Sequence, residues 1–447
     1  MFSRRDLLRS VPFGFGYLAM QGLLAETARA EYAPPLAPKE PHFAPKAKRV
    51  LFLCMRGAPA QVDTFDYKPI EGKQKAGSVV KFGQHGESGL WMSEFFPHLA
   101  GHADELCVIN SMHTDVPNHP QSYLMMHTGD FRFARPSMGS WVLYGLGSEN
   151  QNLPGFVTIN PETRVGGAQN YGSAFLPPIY QGTPIGRVGE DVRRATIGNV
   201  QGDHLTEEGK RRQLDFVQQM NARRLAERQH DPALEGAIES LELAFRMQQA
   251  VPEVLDVSRE SQSTLDAYAV ERSGAKGRSL GDYFGLQCLM ARRLLEAGVR
   301  FVEVCHSNWD QHNNHVAELG ANCEAIDQPI AALLTDLKQR GMLEDTLIVW
   351  GGEFGRTPLS QGKNGSGHNS AGYTMWLAGG GVRGGLAYGK TDETGARAVE
   401  NRVHVHDLHA TILHLLGLDH ERLTYRYSGR DFRLTDVYGS VVKDIIA

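Results

Sequence analysis

Arg49-Val50-Leu51-Phe52-Leu53-Cys54-Met55 is an unbroken apolar run behind one arginine, and it ends on the polar, glycine-containing stretch Arg56-Gly57-Ala58-Pro59-Ala60-Gln61-Val62-Asp63-Thr64-Phe65-Asp66. A strand with one wet face would alternate apolar and polar residues. A continuous run suits a parallel strand buried on both faces. Similar runs occur at 106–109, 155–159, 301–305, 346–350 and 373–378, with helical patterns between several of them. The pattern at 280–297 leads into the run at 301, and that at 325–340 leads into the run at 346. This alternation predicts an α/β fold, a mostly parallel sheet sandwiched by helices.

The ends and the middle of the chain have other textures. Ser3-Arg4-Arg5-Asp6-Leu7-Leu8-Arg9 precedes a short apolar stretch, Val11 to Leu24, and Ala28-Arg29-Ala30 offers a small-x-small cleavage site. Residues 1–30 therefore read as a twin-arginine signal peptide, which predicts a periplasmic or secreted protein. Export of this kind carries folded chains, so a metal loaded before translocation fits it. Residues 31–48, rich in proline, alanine and lysine, read as a linker or surface-hugging arm, leaving 49–447 as the domain. Within it, 204–250 is highly charged and reads as two helices broken near Asp231-Pro232, a helical insertion on the α/β body. No mature segment approaches the length of a membrane span. A net charge of -5 over 447 residues argues against a nucleic-acid surface. The five cysteines form no CxxC pair and sit mostly in apolar segments, so buried thiols are expected rather than a disulfide framework.

Ligands of an open parallel sheet bind beyond the carboxyl ends of its strands, and polar residues gather there in this sequence. The first strand is followed by Asp63 and Asp66, one a candidate ligand and the other a candidate turn cap. The run at 301–305 is followed by His306-Ser307-Asn308-Trp309-Asp310-Gln311-His312-Asn313-Asn314-His315, and that at 346–350 by Gly351-Gly352-Glu353-Phe354-Gly355-Arg356-Thr357-Pro358 and then Gly365-Ser366-Gly367-His368-Asn369. Asp310, His312 and His315 could converge from one loop, with Glu353 and His368 reaching the same rim. Carboxylates mixed with imidazoles suit a divalent metal, and the nitrogen donors favour a transition metal. Arg356 beside Glu353 reads either as a fork for a phosphate or sulfate oxygen or as an ion pair fixing the loop. His113-Thr114-Asp115-Val116-Pro117-Asn118-His119 reads first as a plain helix cap at Thr114 or Asp115, with a nucleophile at a helix N-terminus as the functional alternative.

These residues resemble the alkaline phosphatase and sulfatase superfamily, and more closely an exported sulfatase-like branch of it, domain of unknown function 1501. The resemblance spans nearly the whole mature chain. It is carried by Ala60-Gln61-Val62-Asp63-Thr64-Phe65-Asp66, Gly172-Ser173-Ala174-Phe175-Leu176-Pro177, Asn308-Trp309-Asp310-Gln311-His312, Gly352-Glu353-Phe354-Gly355-Arg356-Thr357-Pro358 and Val405-His406-Asp407-Leu408-His409-Ala410-Thr411. It implies an alkaline-phosphatase-like fold and a divalent metal (zinc, calcium or manganese) on Asp310, His312, Glu353 and His368, with Asp63 as the first-strand carboxylate. It also implies a hydrolase of sulfate or phosphate esters, its partner a sulfated or phosphorylated small molecule or polysaccharide.

The sequence departs from that pattern in three places. Aligned on Val116-Pro117-Asn118-His119, the nucleophile position is Asp115, with Thr114 one residue away. No Cys-x-Pro-x-Arg signature is present, and Glu353-Phe354 stands where an Asp-His pair is usual. A single-metal hydrolase or a non-catalytic binding protein on a degenerate fold suits these changes better than a two-metal phosphatase.

Overall fold

A computed structural model describes residues 34–69, 80–188, 190–195, 206–228, 232–271, 283–361 and 364–447. The segment read as an export signal lies outside these residues. The opening apolar run is strand β1, Arg49–Met55, in which Val50 to Met55 are all buried. The other strands that matter are β2 Leu106–His113, β3 Phe156–Ile159, β4 Thr183–Ile185, β5 Phe301–His306, β6 Thr346–Gly351, β7 Gly355–Gln361, β8 Gly365–Asn369, β9 Tyr373–Ala378, β10 Leu386–Tyr388 and β11 Val403–His404.

Among the described residues the central sheet has nine strands in the order β10-β2-β9-β6-β1-β5-β3-β4, with β11 beside β2. Its pairs are parallel except for β9, which runs antiparallel to both β2 and β6. β5 and β6 flank β1, so the three strands whose carboxyl ends carry the candidate residues are adjacent. β2 runs the same way as β6, because each is antiparallel to β9, and it delivers its following loop to the same edge. The mostly parallel architecture expected from the apolar runs is the one observed.

The helices are α1 His119–Thr128, α2 Met138–Leu146, α3 Glu207–Arg228, α4 Pro232–Leu255, α5 Phe284–Glu296, α6 His315–Gln339 and α7 Val405–Leu415. Helix α5 packs against β5 and against α6. The last of these two starts ten residues before the 325–340 pattern that predicted it. Asn314, its N-cap, adopts a left-handed φ of 48°, a conformation Asn tolerates better than most residues. Helices α3 and α4 pack on each other, Arg211 pairing with Asp215 and with Glu242 at 3.0 Å, and α4 also meets α5. Residues 34–48 lie against the body, with backbone bonds from Lys39 to Leu146, His42 to Gly417 and Ala47 to Leu415. All five cysteines are free and buried. Among the described residues no helix is long and apolar enough to cross a membrane.

Candidate metal centre

At the carboxyl edge the loops after β1 and β5 lie on each other. Trp309 N–H donates to the Arg56 carbonyl at 3.2 Å. The Trp309 side chain is fully buried and gives its indole N–H to His306 Nδ1 at 3.0 Å. Gly57 makes the approach close: at φ 114° an added Cβ would sit 2.7 Å from the Asp310 nitrogen. Only glycine takes both that conformation and that contact without strain. The sheet thus holds Asp310 before any side-chain interaction is counted.

Strands β7 and β8 form an antiparallel hairpin, with Arg356 opposite His368. The sequence carries no apolar strand pattern across this glycine-rich stretch. As a hairpin it folds back over the Asp310 loop, with Gly365 so close to the His312 carbonyl that a Cβ there would overlap it. His368 is carried onto His312 in this way.

Asp310 Oδ1 is the focus of the arrangement. It lies 2.7 Å from Arg356 Nη1, 3.0 Å from His312 Nε2, 3.2 Å from His119 Nε2 and 3.3 Å from His368 Nε2. The two imidazole nitrogens of His312 and His368 are 3.1 Å apart. Exposure falls from 42% for the His312 side chain at the mouth, through 32% for Asp310, to none for Arg356 and Glu353 at the floor. The cluster is therefore open to solvent on one side only.

The proton positions follow from the outer partners. His368 Nδ1 is 2.9 Å from the Pro117 carbonyl, which can only accept, so Nδ1 donates there and Nε2 faces Asp310. His119 Nδ1 is 2.6 Å from Glu353 Oε1, and both Glu353 oxygens accept from Gly57 N–H at 3.2 Å. His119 Nε2, also buried, then faces Asp310 at 3.2 Å. Burial opposes charge on His119, but hydrogen bonds to Asp310 and Glu353 and their negative charge win, lifting its pKa from 6.5 to about 9. Burial also opposes the Asp310 carboxylate, yet hydrogen bonds from His119 and His368, the His119 charge and the Arg356 guanidinium hold its carboxyl well below the usual range.

This geometry sorts the residues singled out from the sequence. Asp310, His312 and His368 come together. His119 joins them, and sequence reading passed it over as the residue trailing a nucleophile segment; its only signal was a histidine at a helix start after a strand. Glu353 stands behind His119 as the carboxylate that orients it, not among the converging donors. Asp63 is buried against His315, Oδ2 to Nε2 at 2.9 Å, and His315 Nδ1 continues to Ser366 Oγ at 3.2 Å. That Ser–His–Asp line resembles a nucleophilic triad, but Ser366 is 5% exposed and its hydroxyl also accepts from Arg356 Nε at 3.1 Å. It braces Arg356, whose Nη2 donates to the Ser366 carbonyl at 2.7 Å. Arg356 is thus turned inward onto Asp310, in the loop-fixing role.

Thr114 is buried, and its backbone N–H donates to Ser370. Asp115 is half-exposed, 3.4 Å from His404 Nε2, on a cavity of about 560 Å³ that Arg132, His404, His406 and Tyr438 also line. The hydrogen bond to His404 keeps the Asp115 carboxyl below its ordinary pKa. The loop joining Asp115 to His119 meets His368 through the Pro117 carbonyl.

No curated protein matches the sequence. Several solved structures resemble the chain at low identity. Ps i-CgsB is 10% identical, over 83% of this chain and 72% of that one, with a TM-score of 0.40. The PsFucS1 sulfatase from Pseudoalteromonas sp. is 14% identical, over 84% and 68%, with a TM-score of 0.37. The alkaline phosphatase from the Antarctic bacterium TAB5 is 10% identical, over 84% and 99%, with a TM-score of 0.34. Likenesses this distant say nothing of what this chain binds. The match in sequence is closer and longer: residues 47–446 fit the family described as protein of unknown function, DUF1501, and the chain belongs to that family.

Proposed function

We propose that the chain is a metal-dependent hydrolase of phosphate or sulfate esters, exported through the Arg4-Arg5 signal and acting on a small molecule or polysaccharide outside the cytoplasm. The observation that carries this reading is the convergence of His119, His312 and His368 on Asp310 Oδ1, from three separate stretches of chain. Three imidazole Nε2 atoms within 3.3 Å of one carboxylate oxygen need protons or a cation among them. The set fits a divalent ion, and its nitrogen donors suit zinc or manganese better than calcium, which prefers oxygen. A metal held by His119, Asp310 and His368, with His312 beside them, would supply Lewis-acid stabilisation of the charge that develops on a transferring phosphoryl or sulfuryl group.

The chain's own groups do the rest. Glu353 and the Pro117 carbonyl fix the hydrogens of His119 and His368 on Nδ1, so both Nε2 atoms stay available. Arg356 anchors Asp310. In this reading Asp115, anionic and on the open cavity, would act as nucleophile or as base toward water; Thr114 lies deeper. Reconstitution with zinc or manganese, followed by a panel of aryl phosphates and sulfates, tests the reading. Turnover that disappears in Asp310→Ala supports it, and Asp115→Asn against Thr114→Ala assigns the nucleophile. Absence of bound metal after reconstitution would refute it.

The inward commitment of Arg356 favours a second reading, a non-catalytic binding protein that keeps the cluster. Bound metal without turnover on any ester selects it.

A further inference from the structure

A second group of donors lies inside the molecule, away from the Asp310 cluster. Cys54 on β1 is in register with Cys305 on β5, and Glu303 precedes Cys305 by two residues on the same strand face. The facing helix α1 brings Tyr123 and His127, one turn apart, over them. Cys54, Cys305, Glu303 and His127 are each at most 3% exposed. His127 Nε2 lies 2.8 Å from Glu303 Oε1, and Cys305 Sγ lies 3.2 Å from the same oxygen. The ligand atoms of Cys54, Glu303 and Cys305 all fall within 4.8 Å of one another. The Tyr123 hydroxyl reaches both sulfurs, at 3.4 Å and 3.7 Å.

We infer that Cys54, Cys305, His127 and Glu303 form a buried structural site for a zinc-like divalent cation. Two sulfurs, one imidazole and one carboxylate are the donor types of a closed four-coordinate zinc site. The His127 ring is set for the task, since Nδ1 is 2.7 Å from the Tyr123 carbonyl and must donate to it. That leaves Nε2 facing Glu303, the arrangement in which a backbone carbonyl orients a metal-bound histidine. A protonated His127 paired with Glu303 would account for two of the four groups. It gives no reason for two thiols at one rung of adjacent strands, turned toward the same carboxylate. Binding would release the two thiol protons to solvent as the thiolates form. His127 lies eight residues along α1 from His119, about 12 Å at the helical rise, so the buried ion would pin to the sheet the helix that carries His119.

The test uses the full chain expressed in cobalt-supplemented minimal medium, with its absorption spectrum and metal content measured. The expected result is a near-ultraviolet thiolate-to-cobalt charge-transfer band, because the Asp310 cluster contains no sulfur. The band should persist in Asp310→Ala and vanish in Cys305→Ala with the loss of one metal equivalent. Wild-type protein without the band would overturn the inference whatever the variants do. So would a Cys54–Cys305 disulfide in protein isolated without reductant. Neither result bears on the Asp310 cluster, whose metal content is read separately in Cys305→Ala.

Discussion

Glu353→Gln is the sharpest perturbation of the Asp310 cluster. The residue has no solvent exposure, and its Oε1 holds His119 Nδ1 at 2.6 Å. Glutamine keeps the shape and can still accept from Gly57 N–H, so the backbone cradle should survive. What is lost is the negative charge behind the imidazole. A charge-assisted hydrogen bond of this kind contributes about 1.5–3 kcal/mol. A carboxylate that orients a metal-bound histidine typically accounts for about 10–100-fold in affinity, or roughly 1.4–2.7 kcal/mol, so the two routes agree. Zinc affinity measured by chelator competition should fall by about 10–100-fold while the bound stoichiometry stays unchanged. The pH dependence should change as well. In the wild type a proton on His119, held up to about pH 9, competes with the ion, so affinity should climb with pH until that point and then level. Without the Glu353 charge the levelling should come at lower pH. An unchanged affinity would show that Glu353 does not support His119. A loss as complete as that of Asp310→Ala would make Glu353 a ligand itself and overturn the assignment.

Three further outcomes are expected. In metal-stripped protein, the raised pKa of His119 means its stabilisation is fully present below about 6.5 and disappears as pH rises through about 9. The rise is worth at most about 3 kcal/mol, and screening at the open mouth reduces it to about 1–2 kcal/mol; urea melts between these limits should show the loss, and His119→Gln should lack it. Gly57→Ala should cost about 2–4 kcal/mol, from left-handed backbone strain and the 2.7 Å clash with the Asp310 nitrogen, and should lower Tm and metal affinity together. Arg356→Lys keeps the charge but not the fork that spans Asp310 and Ser366. It should cost about 2–4 kcal/mol by denaturant unfolding, and a smaller loss than 1 kcal/mol would show that the fork is dispensable.

Much of the fold was legible in the sequence, because a strand buried on both faces must be apolar at every position. β1, β5, β6 and β9 announce themselves in this way, and the polar residues that follow three of them mark the binding edge. Asp310 and His312 could be paired on paper because they share one short loop. His119, Glu353 and Asp63 could not be placed, since their roles depend on side chains far away in the sequence, Glu353 and Asp310 for His119 and His315 for Asp63. The 355–369 hairpin was hidden for a related reason: its glycines look like loop residues until the His312 backbone is seen to leave no room for a Cβ. The register that sets Cys54 beside Cys305 is likewise fixed by hydrogen bonds between strands far apart in sequence. Composition and periodicity act over a few residues, so by themselves they determined the sheet and its binding edge. Which donors meet there, and which stand behind them, was decided by contacts that exist only once distant elements have closed on one another.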